Sequence, residues 1–183
     1  MLVDQRMPAR QPRNPGREGG FTLIELIVAL SIGTVLMLVA VPSFLDFQRN
    51  ARLSDAVSNF VGAANAARAN AMKQGINTYM VPVTGSDWTS GWVVYADTNW
   101  NQMYDAGTDT LISMHAAPGS DVAISSNFAG QYLMFNGSGY PRVNNGSFVI
   151  GTMVMSNSSP RSISIKIDVS GRVRSCKTGS TGC

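Results

Sequence analysis

The fold of this chain is decided near its N-terminus, by the stretch Gly19-Gly20-Phe21-Thr22-Leu23-Ile24-Glu25-Leu26-Ile27-Val28. A polar leader with scattered arginines ends at Gly20, and an apolar run begins at Phe21. As an α-helix, residues 21–45 would be about 37 Å long at ~1.5 Å per residue, which is enough to cross a hydrocarbon core of about 30 Å. The stretch therefore predicts a membrane-spanning helix with one ionisable side chain, Glu25, in its first turn.

The junction resembles the N-terminal signature of type IV pilins and of their relatives, the pseudopilins of type II secretion. In that family a prepilin peptidase cuts after the glycine and methylates the new N-terminal phenylalanine, and a glutamate follows four residues later. Gly20, Phe21 and Glu25 match these positions. Two alternatives remain open. One is a plain signal anchor with a chance Gly-Phe junction; the other is an ordinary secretory signal, which would be cut at the end of a shorter apolar core.

Glu25 is the residue that needs a physical explanation in an apolar helix. A carboxylate inside a bilayer costs on the order of a few kcal/mol, so it needs a partner or a shallow position. Cleavage after Gly20 would create an amino group at Phe21, about one helical turn away. The resemblance implies that the terminal amine of an adjacent subunit neutralises Glu25 during filament assembly. The alternative is that Glu25 reaches the membrane interface or is protonated.

The residue pattern divides the chain into four segments. Residues 1–20 are the leader that the resemblance expects to be cleaved, and residues 21–45 are the membrane-spanning, assembly half of a long helix. In residues 46–75, apolar side chains between Leu53 and Ala71 recur every three or four positions. The polar residues that fall mainly on the other face are Arg49, Arg52, Asp55, Asn59 and Arg68. This pattern predicts an amphipathic half that ends near Gly75. Residues 76–183 are the β domain.

Short strands are predicted after Gly75. Ile163, Ile165 and Ile167 alternate with polar residues, which is typical of a half-buried strand, and turn sequences rich in Asn and Gly separate other candidates. We therefore predict an α+β fold, in which a long N-terminal helix is packed on a C-terminal antiparallel β domain; the resemblance implies that the fold is pilin-like. The predicted strands cover residues 76–83, 91–96, 110–114, 121–126, 132–136, 148–156, 162–169 and 171–175.

The net charge of +3 hides an uneven distribution. Between Gln74 and Pro141 there are five aspartates and no Lys or Arg, whereas the chain from Arg142 onward has six basic residues and a single acid, Asp168. The basic leader precedes the apolar helix and is expected in the cytoplasm by the positive-inside rule. This predicts a single-pass protein of the inner membrane with a periplasmic C-terminal domain, and the resemblance implies that it is then incorporated into a pilus or pseudopilus.

The only cysteines are Cys176 and Cys183. Disulfides persist in an oxidising compartment such as the periplasm, so a bridge between these two residues is predicted. Two free thiols, or pairing between chains, are the alternatives. The number and spacing of the cysteines do not fit a zinc site.

Three stretches resemble the FimT/GspH branch of the pilin-like family: residues 91–101 with the later Asp105 and Leu111, residues 135–139, and Gly171-Arg172-Val173-Arg174. In the FimT subgroup a Gly-Arg-x-Arg motif near the C-terminus is associated with DNA capture during natural transformation. Guanidinium groups bind phosphate in a sequence-independent, salt-sensitive manner. A solvated strand face, or a basic patch that pairs with an acidic neighbouring subunit, would explain the same residues. The candidate DNA-binding residues are Arg172, Arg174, Lys177, Arg161 and Lys166.

Neither a metal site nor a catalytic site is predicted. Asp97, Asn99, Asn101 and Asp105 follow the spacing of a calcium loop, but the glycine and the final glutamate of such a loop are missing, and a polar hairpin turn explains the same residues. No nucleophile and base are arranged around the lone His115. The sequence therefore predicts a protein that is not an enzyme and has no cofactor.

Two functions remain open from the sequence. One is a FimT-like minor pilin of a type IV pilus, which primes assembly and binds DNA for uptake. The other is a GspH-type pseudopilin of the type II protein secretion system, which binds no DNA. Both imply the same partners: other pilin or pseudopilin subunits, a prepilin peptidase and the inner membrane.

Overall fold

The computed structural model describes residues 20–128, 131–148 and 151–180. Residues 1–19 of the predicted leader and Cys183 lie outside these ranges. One α-helix, α1, spans Leu23–Gln74, and nine strands follow in the described residues. The strands are β1 (Thr78–Thr84), β2 (Asp87–Ala96), β3 (Thr110–His115), β4 (Ala123–Ser126), β5 (Leu133–Phe135), β6 (Pro141–Arg142), β7 (Gly151–Ser156), β8 (Ser162–Ile167) and β9 (Val173–Lys177).

The chain forms two compact units, Met1–Val41 and Pro42–Cys183. In the described part of the first unit, Phe21 and the large apolar side chains at the start of α1 are exposed, with Phe21 at 88% and Val41 at 54%. These side chains have no β structure to cover them within their own unit. The second unit contains the remainder of α1 and all nine strands.

Helix α1 ends where the sequence predicts. Gly75 has φ +71°, a conformation that glycine adopts readily, and its N–H still donates to the carbonyl of Ala71 over 2.8 Å. Along the second unit the buried positions of α1 recur at helical spacing, and most are alanines, which let the strands approach closely. These positions are Leu53, Ala56, Val57, Phe60, Ala63, Ala64, Ala67 and Ala71.

The strands form two antiparallel sheets. The first has the order β3-β2-β1-β5-β6 and the second β4-β7-β8-β9. Both sheets contribute to one core with α1, in which Phe60 packs edge-on against Trp88 and Trp92 at ring distances of 5.5 and 5.4 Å. The apolar residues of the second sheet in this core are Met153, Met155, Ile165 and Ile167. The α+β prediction is confirmed.

A second, smaller cluster covers the other face of the first sheet. It contains Tyr79, Val93, Tyr95 and Met134, and the Tyr79 and Tyr95 rings stack at 5.5 Å. Tyr104, from the segment between β2 and β3, packs on Tyr95 at 5.3 Å. We call this segment, residues 97–109, the acidic loop. The central strands of the first sheet are therefore covered on both faces, whereas the edge strand β3 exposes Leu111 and Met114.

Each predicted strand overlaps an observed one, with differences at the ends. The two-residue strand β6 was not predicted. Residues 168–172 were predicted as strand around a short turn, but all five form the turn: Asp168 Oδ1 accepts the N–H groups of Ser170 and Arg172 at 2.9 and 3.1 Å. This local hydrogen bonding replaces ladder pairing, so β8 ends at Ile167.

Candidate functional site

The beginning of α1 is held by a reciprocal pair of hydrogen bonds. Thr22 Oγ1 accepts the N–H of Glu25 at 3.3 Å, while Glu25 Oε2 accepts the N–H of Thr22 at 3.4 Å and its hydroxyl at 3.3 Å. This is a capping box, which satisfies two otherwise unpaired donors at a helix start. The carboxylate of Glu25 therefore has an intrachain role that the sequence prediction missed, although the Thr-x-x-Glu spacing signals it.

The apolar surface around Glu25 belongs to a helix that is long enough to cross a membrane. Among the described residues one helix, α1, is long and apolar enough to cross a bilayer, with a mean hydropathy of 2.5 in its most apolar window and no residue of that window buried. By composition alone a signal sequence would pass the same test.

The basic residues near the C-terminus lie on and around the hairpin of β8 and β9, which we call the basic hairpin (residues 162–177). Ile165 and Ile167 are buried in the core, so Lys166 between them points to the opposite, outer face of the sheet. Arg174 is paired directly with Lys166, and directly opposed side chains project from the same face. Arg172, two residues before Arg174, lies at the end of this face.

The turn before Arg172 is tightly hydrogen bonded. Besides the two N–H groups, Asp168 Oδ1 accepts the Ser170 hydroxyl at 2.5 Å. The hydrogen bond from that hydroxyl is the main reason why the pKa of Asp168 lies below its ordinary value, and the charge of Arg174 lowers the pKa further. Gly171 completes the turn with φ +80°.

The two arginines of the motif differ in their surroundings. Arg172 is exposed, and its side chain makes no hydrogen bond or ion pair within the described residues. Arg174 is half-buried, and its Nε is covered without a hydrogen-bond partner in that part of the chain. Both guanidinium groups thus keep donors that are not used by the described protein atoms.

Two of the five candidate DNA-binding residues lie elsewhere. Lys177 is opposite Ile163, so its side chain leaves the sheet on the core side rather than on the outer face. Together with Arg161 it lines a groove of about 460 Å³ whose floor includes Pro160 and Ile163. The basic residues therefore form two groups: Lys166, Arg172 and Arg174 on the outer face, and Arg161 and Lys177 at the groove.

Cys176 is in β9, and its Sγ lies 3.6 Å from the carbonyl oxygen of Ser164. Its predicted partner, Cys183, is outside the described residues. The Cys176–Cys183 bridge therefore stays a prediction.

The acidic loop uses its carboxylates to hold its own backbone. Asp97 accepts the N–H groups of Asn101 and Gln102 at 3.2 and 3.0 Å, and Asp109 accepts those of Thr98 and Asp105 at 3.0 and 2.9 Å. In the ranges that the structure describes, no group of His, Cys, Asp or Glu side chains is arranged to hold a metal ion.

One functional candidate was missed because its position on α1 suggested a solvent-facing role. Arg68 is half-buried, and its guanidinium donates to two backbone carbonyls: Nε to Gly139 at 3.0 Å and Nη2 to Ser170 at 2.8 Å. Only the alanines around it, which leave room for close approach, give a hint in the sequence.

Comparison with known proteins gives matches for both parts of the chain. The family model of the type II transport protein GspH matches residues 56–171, and that of the prokaryotic N-terminal methylation motif matches residues 16–41. No curated protein sequence matches the chain.

Solved structures share the fold at low sequence identity. The type IV minor pilin FimU of Pseudomonas aeruginosa is similar at 14% identity, with 70% of this chain and 90% of that chain covered and a TM-score of 0.55. The minor pseudopilin EpsH from the type 2 secretion system of Vibrio cholerae is similar at 11% identity, with 70% and 99% covered and a TM-score of 0.51.

Proposed function

This chain belongs to the family of the type II transport protein GspH, and on that premise we propose that it is a FimT-like minor pilin, a non-enzymatic subunit of a type IV pilus. The observation that carries the pilin-type assembly role is the match to the methylation motif at an exposed apolar helix start, and the Gly171-Arg172-Val173-Arg174 motif favours the FimT-like subunit. A prepilin peptidase would cut between Gly20 and Phe21. Residues 21–45 would anchor the subunit in the inner membrane before assembly, with the β domain in the periplasm.

The helix start would then serve in assembly. In the uncleaved chain Glu25 caps its own helix through Thr22, and the capping contacts are long, at 3.3 to 3.4 Å. A charged amine from a neighbouring subunit would make a stronger hydrogen bond with the carboxylate than these neutral donors do. Exchange of the cap for that amine gives Glu25 a partner inside the filament.

The assembly role is tested by Glu25→Gln and Thr22→Val in the full chain. Glutamine keeps a capping oxygen but loses the charge, so we expect it to reduce incorporation into filaments strongly. Thr22→Val removes the cap and leaves the carboxylate, so its incorporation should fall much less. Sheared filament fractions, probed for this chain against the membrane pool, give the measurement. Normal incorporation of Glu25→Gln would contradict the role of the charge.

DNA binding is the finer part of the proposal, and the outer face of the basic hairpin is its site. The one acid in the basic hairpin, Asp168, is hydrogen bonded within its own turn, and the Arg172 side chain makes no ion pair with it. The aspartates of the acidic middle are also engaged: Asp87 by Thr89, Asp97 and Asp109 by backbone N–H groups, Asp105 by two asparagines and Asp121 by Arg52. This favours a phosphate backbone over an acidic neighbouring subunit as the partner.

The experiment compares two double variants with the same change of charge. Arg172→Ala/Arg174→Ala alters the outer face, and Arg161→Ala/Lys177→Ala alters the groove. We measure binding of a short duplex DNA to the full chain in detergent micelles over a salt series. The first pair should lower the affinity and flatten the salt slope by about 1.8, since each lost phosphate contact contributes ~0.9; the second should have little effect. Equal behaviour of both pairs would contradict an outer-face site.

A second candidate function is a GspH-type pseudopilin of type II secretion, favoured by the description of the matching family model. It shares the processing and assembly steps but needs no DNA contact. Deletion of the gene separates the two: loss of surface pili and of DNA uptake supports the minor pilin, whereas loss of protein secretion with normal pili supports the pseudopilin.

A further inference from the structure

Arg68 joins three parts of the second unit at one point. It projects from α1 and donates to Gly139 O, in the turn between β5 and β6, and to Ser170 O, in the turn between β8 and β9. The first turn belongs to the first sheet and the second turn to the second sheet. A single guanidinium group therefore connects the helix with both sheets.

The two turns approach each other closely enough to require glycine. A Cβ atom on Gly171 would lie 2.4 Å from Gly139 O and 2.9 Å from Arg68 Nε. One on Gly139 would lie 2.7 Å from the sulfur of Met72. Because both glycines also have positive φ, at +78° and +80°, any side chain there would be crowded and strained. The contact between the turns and Arg68 is thus tightly packed.

The hydrogen bonds of Arg68 are made from a charged donor to neutral carbonyls. Such bonds are roughly twice as strong as those between neutral groups. Within the described residues no carboxylate lies within ion-pair distance of Arg68, so nothing competes with the two carbonyls for its guanidinium. The planar fork offers two separate nitrogens in a fixed geometry, one for each carbonyl, whereas a lysine has a single nitrogen on a flexible stem.

We propose that Arg68 is a positioning residue for the DNA-binding face: it fixes the Ser170–Gly171 turn and thereby the direction of the next residue, Arg172. The backbone of Arg172 is then held from two sides, by Asp168 Oδ1 at its N–H and by the fixed turn that precedes it. This inference rests on the proposed DNA contact of Arg172. It explains how the Cα–Cβ bond of an exposed residue, whose side chain makes no hydrogen bond or ion pair of its own within the described residues, is held in one direction.

The alternative is that Arg68 itself contacts a phosphate, and a double-mutant cycle separates the two roles. Arg68→Met keeps the bulk of the side chain and removes its donors. If Arg68 acts through Arg172, Arg68→Met should lower DNA affinity about as much as Arg172→Ala does, roughly tenfold for a loss of ~1.4 kcal/mol. In the Arg172→Ala background, Arg68→Met should then have no further effect on affinity or on salt slope.

Two further variants serve as controls. Arg68→Lys retains a charged donor that can reach one of the two carbonyls, so it should restore part of the affinity. Arg52→Met removes another helix arginine that bonds to the β domain, through Asp121 at 3.4 Å, and it should leave DNA binding unchanged. If Arg68→Met lowers the affinity equally with and without Arg172, or if Arg52→Met has the same effect, the positioning role is wrong.

A measurement that needs no DNA, the rate of trypsin cleavage, tests this inference separately from the proposed function. Trypsin cleaves after Arg172, and mass spectrometry of the full chain in micelles follows that cut over time. We expect Arg68→Met to accelerate it several-fold relative to wild type and to Arg52→Met, since a loosened turn is more accessible. If Arg172→Ala leaves DNA binding intact, the DNA proposal fails. The role of Arg68 in holding the turn is then judged by the cleavage rate alone, and an unchanged rate in Arg68→Met would overturn it.

Discussion

In the acidic loop the buried carboxylates of Asp97 and Asp109 accept backbone N–H groups, whereas in the basic hairpin the charged end of Arg172 reaches solvent with no described partner. Asp97 is 1% exposed and Asp109 is 8% exposed. A count of charges makes the two segments look like complementary surfaces. The structure shows instead that Asp97 and Asp109 use their charge to build a turn, whereas the Arg172 side chain makes no hydrogen bond or ion pair with the described residues.

The difference follows from what each backbone needs. The acidic loop contains Trp100 and Gln102 in a left-handed conformation, at φ 62° and 68°, so its N–H groups point inward and require acceptors. Tyr95 donates its hydroxyl to Gln102 O at 3.1 Å and fastens the loop to the sheet. The basic hairpin satisfies the backbone of its strands by pairing and that of its turn through Asp168, so its cationic side chains are not needed for that purpose.

The largest effect that we expect from this comparison is on stability, at Asp97. Asp97→Ala removes the acceptor of the Gln102 N–H and one of the two acceptors of the Asn101 N–H, which also donates to Asn99 Oδ1; a donor left unsatisfied costs about 1 to 3 kcal/mol. The free energy of unfolding should therefore fall by up to about 3 kcal/mol, measured by urea titration of the full chain in micelles. Asp87→Ala, at an exposed aspartate of the same acidic middle, should cost far less. Similar losses would mean that charge rather than burial determines the contribution.

The tyrosines beneath the acidic loop predict a loss of stability at high pH. Burial, and then the charge of Asp97, raises the pKa of Tyr79 from 10.0 to about 12, and burial likewise raises the pKa of Tyr95. Since a raised pKa favours the neutral phenol in the folded state, the stability is full below pH 10.0 and is lost as pH rises towards 12.

For Tyr79 alone this loss amounts to about 2 kcal/mol at pH 12. Urea titrations at several alkaline pH values measure it, and phenolate absorbance reports the ionisation. In Tyr79→Phe the decrease over the same pH range should be smaller, because one of the two phenols is gone. An identical pH dependence would show that Tyr79 does not contribute.

In the basic hairpin, the next prediction depends on how closely Gly171 is packed. Gly171→Ala places a methyl group against Gly139 O and Arg68, whereas Gly146→Ala, at a similar φ of +85°, meets nothing within 4 Å. Both variants strain the backbone, but only Gly171→Ala is also overpacked. Its free energy of unfolding should therefore fall by about 1.5 kcal/mol more than that of Gly146→Ala. Gly171→Ala should also weaken DNA binding. Equal stabilities of the two variants would contradict the close contact.

Much of the fold could be predicted because it depends on local patterns. Three local patterns have a direct structural meaning: the apolar run after Phe21, the glycine at position 75, and the alternation of Ile163, Ile165 and Ile167. The structure has a helix end at Gly75 and a strand at the three isoleucines. The division of the basic residues could not be predicted, because it depends on the register of β8 with β9, which sends Lys166 and Lys177 to opposite faces.

The role of Arg68 could not be predicted for a related reason. Its two acceptors are 71 and 102 residues away in sequence, and they meet only when both sheets have packed on α1. Helical periodicity separates a polar face from an apolar face, but it does not show that a polar face will lie against backbone carbonyls.

The smallest expected effect on stability is at Asp105, which lies inside the acidic loop. It tests whether the burial of a carboxylate, or only its position in the loop, determines its contribution to stability. The Asp105 carboxylate accepts only from the side-chain amides of Asn99 and Asn101, both exposed, while its backbone N–H still donates to Asp109 in any variant. Asp105→Asn keeps a carbonyl acceptor, so the free energy of unfolding should change by less than ~0.5 kcal/mol.

The same titration, repeated with calcium, tests the metal-site spacing of this loop. Because the carboxylates of Asp97 and Asp109 are already occupied by N–H groups, added calcium should leave the unfolding midpoint unchanged in wild type and in Asp105→Asn alike. A calcium-dependent rise that disappears in Asp105→Asn would reverse this conclusion. The loop would then be a ligand site in its own right, and both charged segments, not one, would be surfaces for partners.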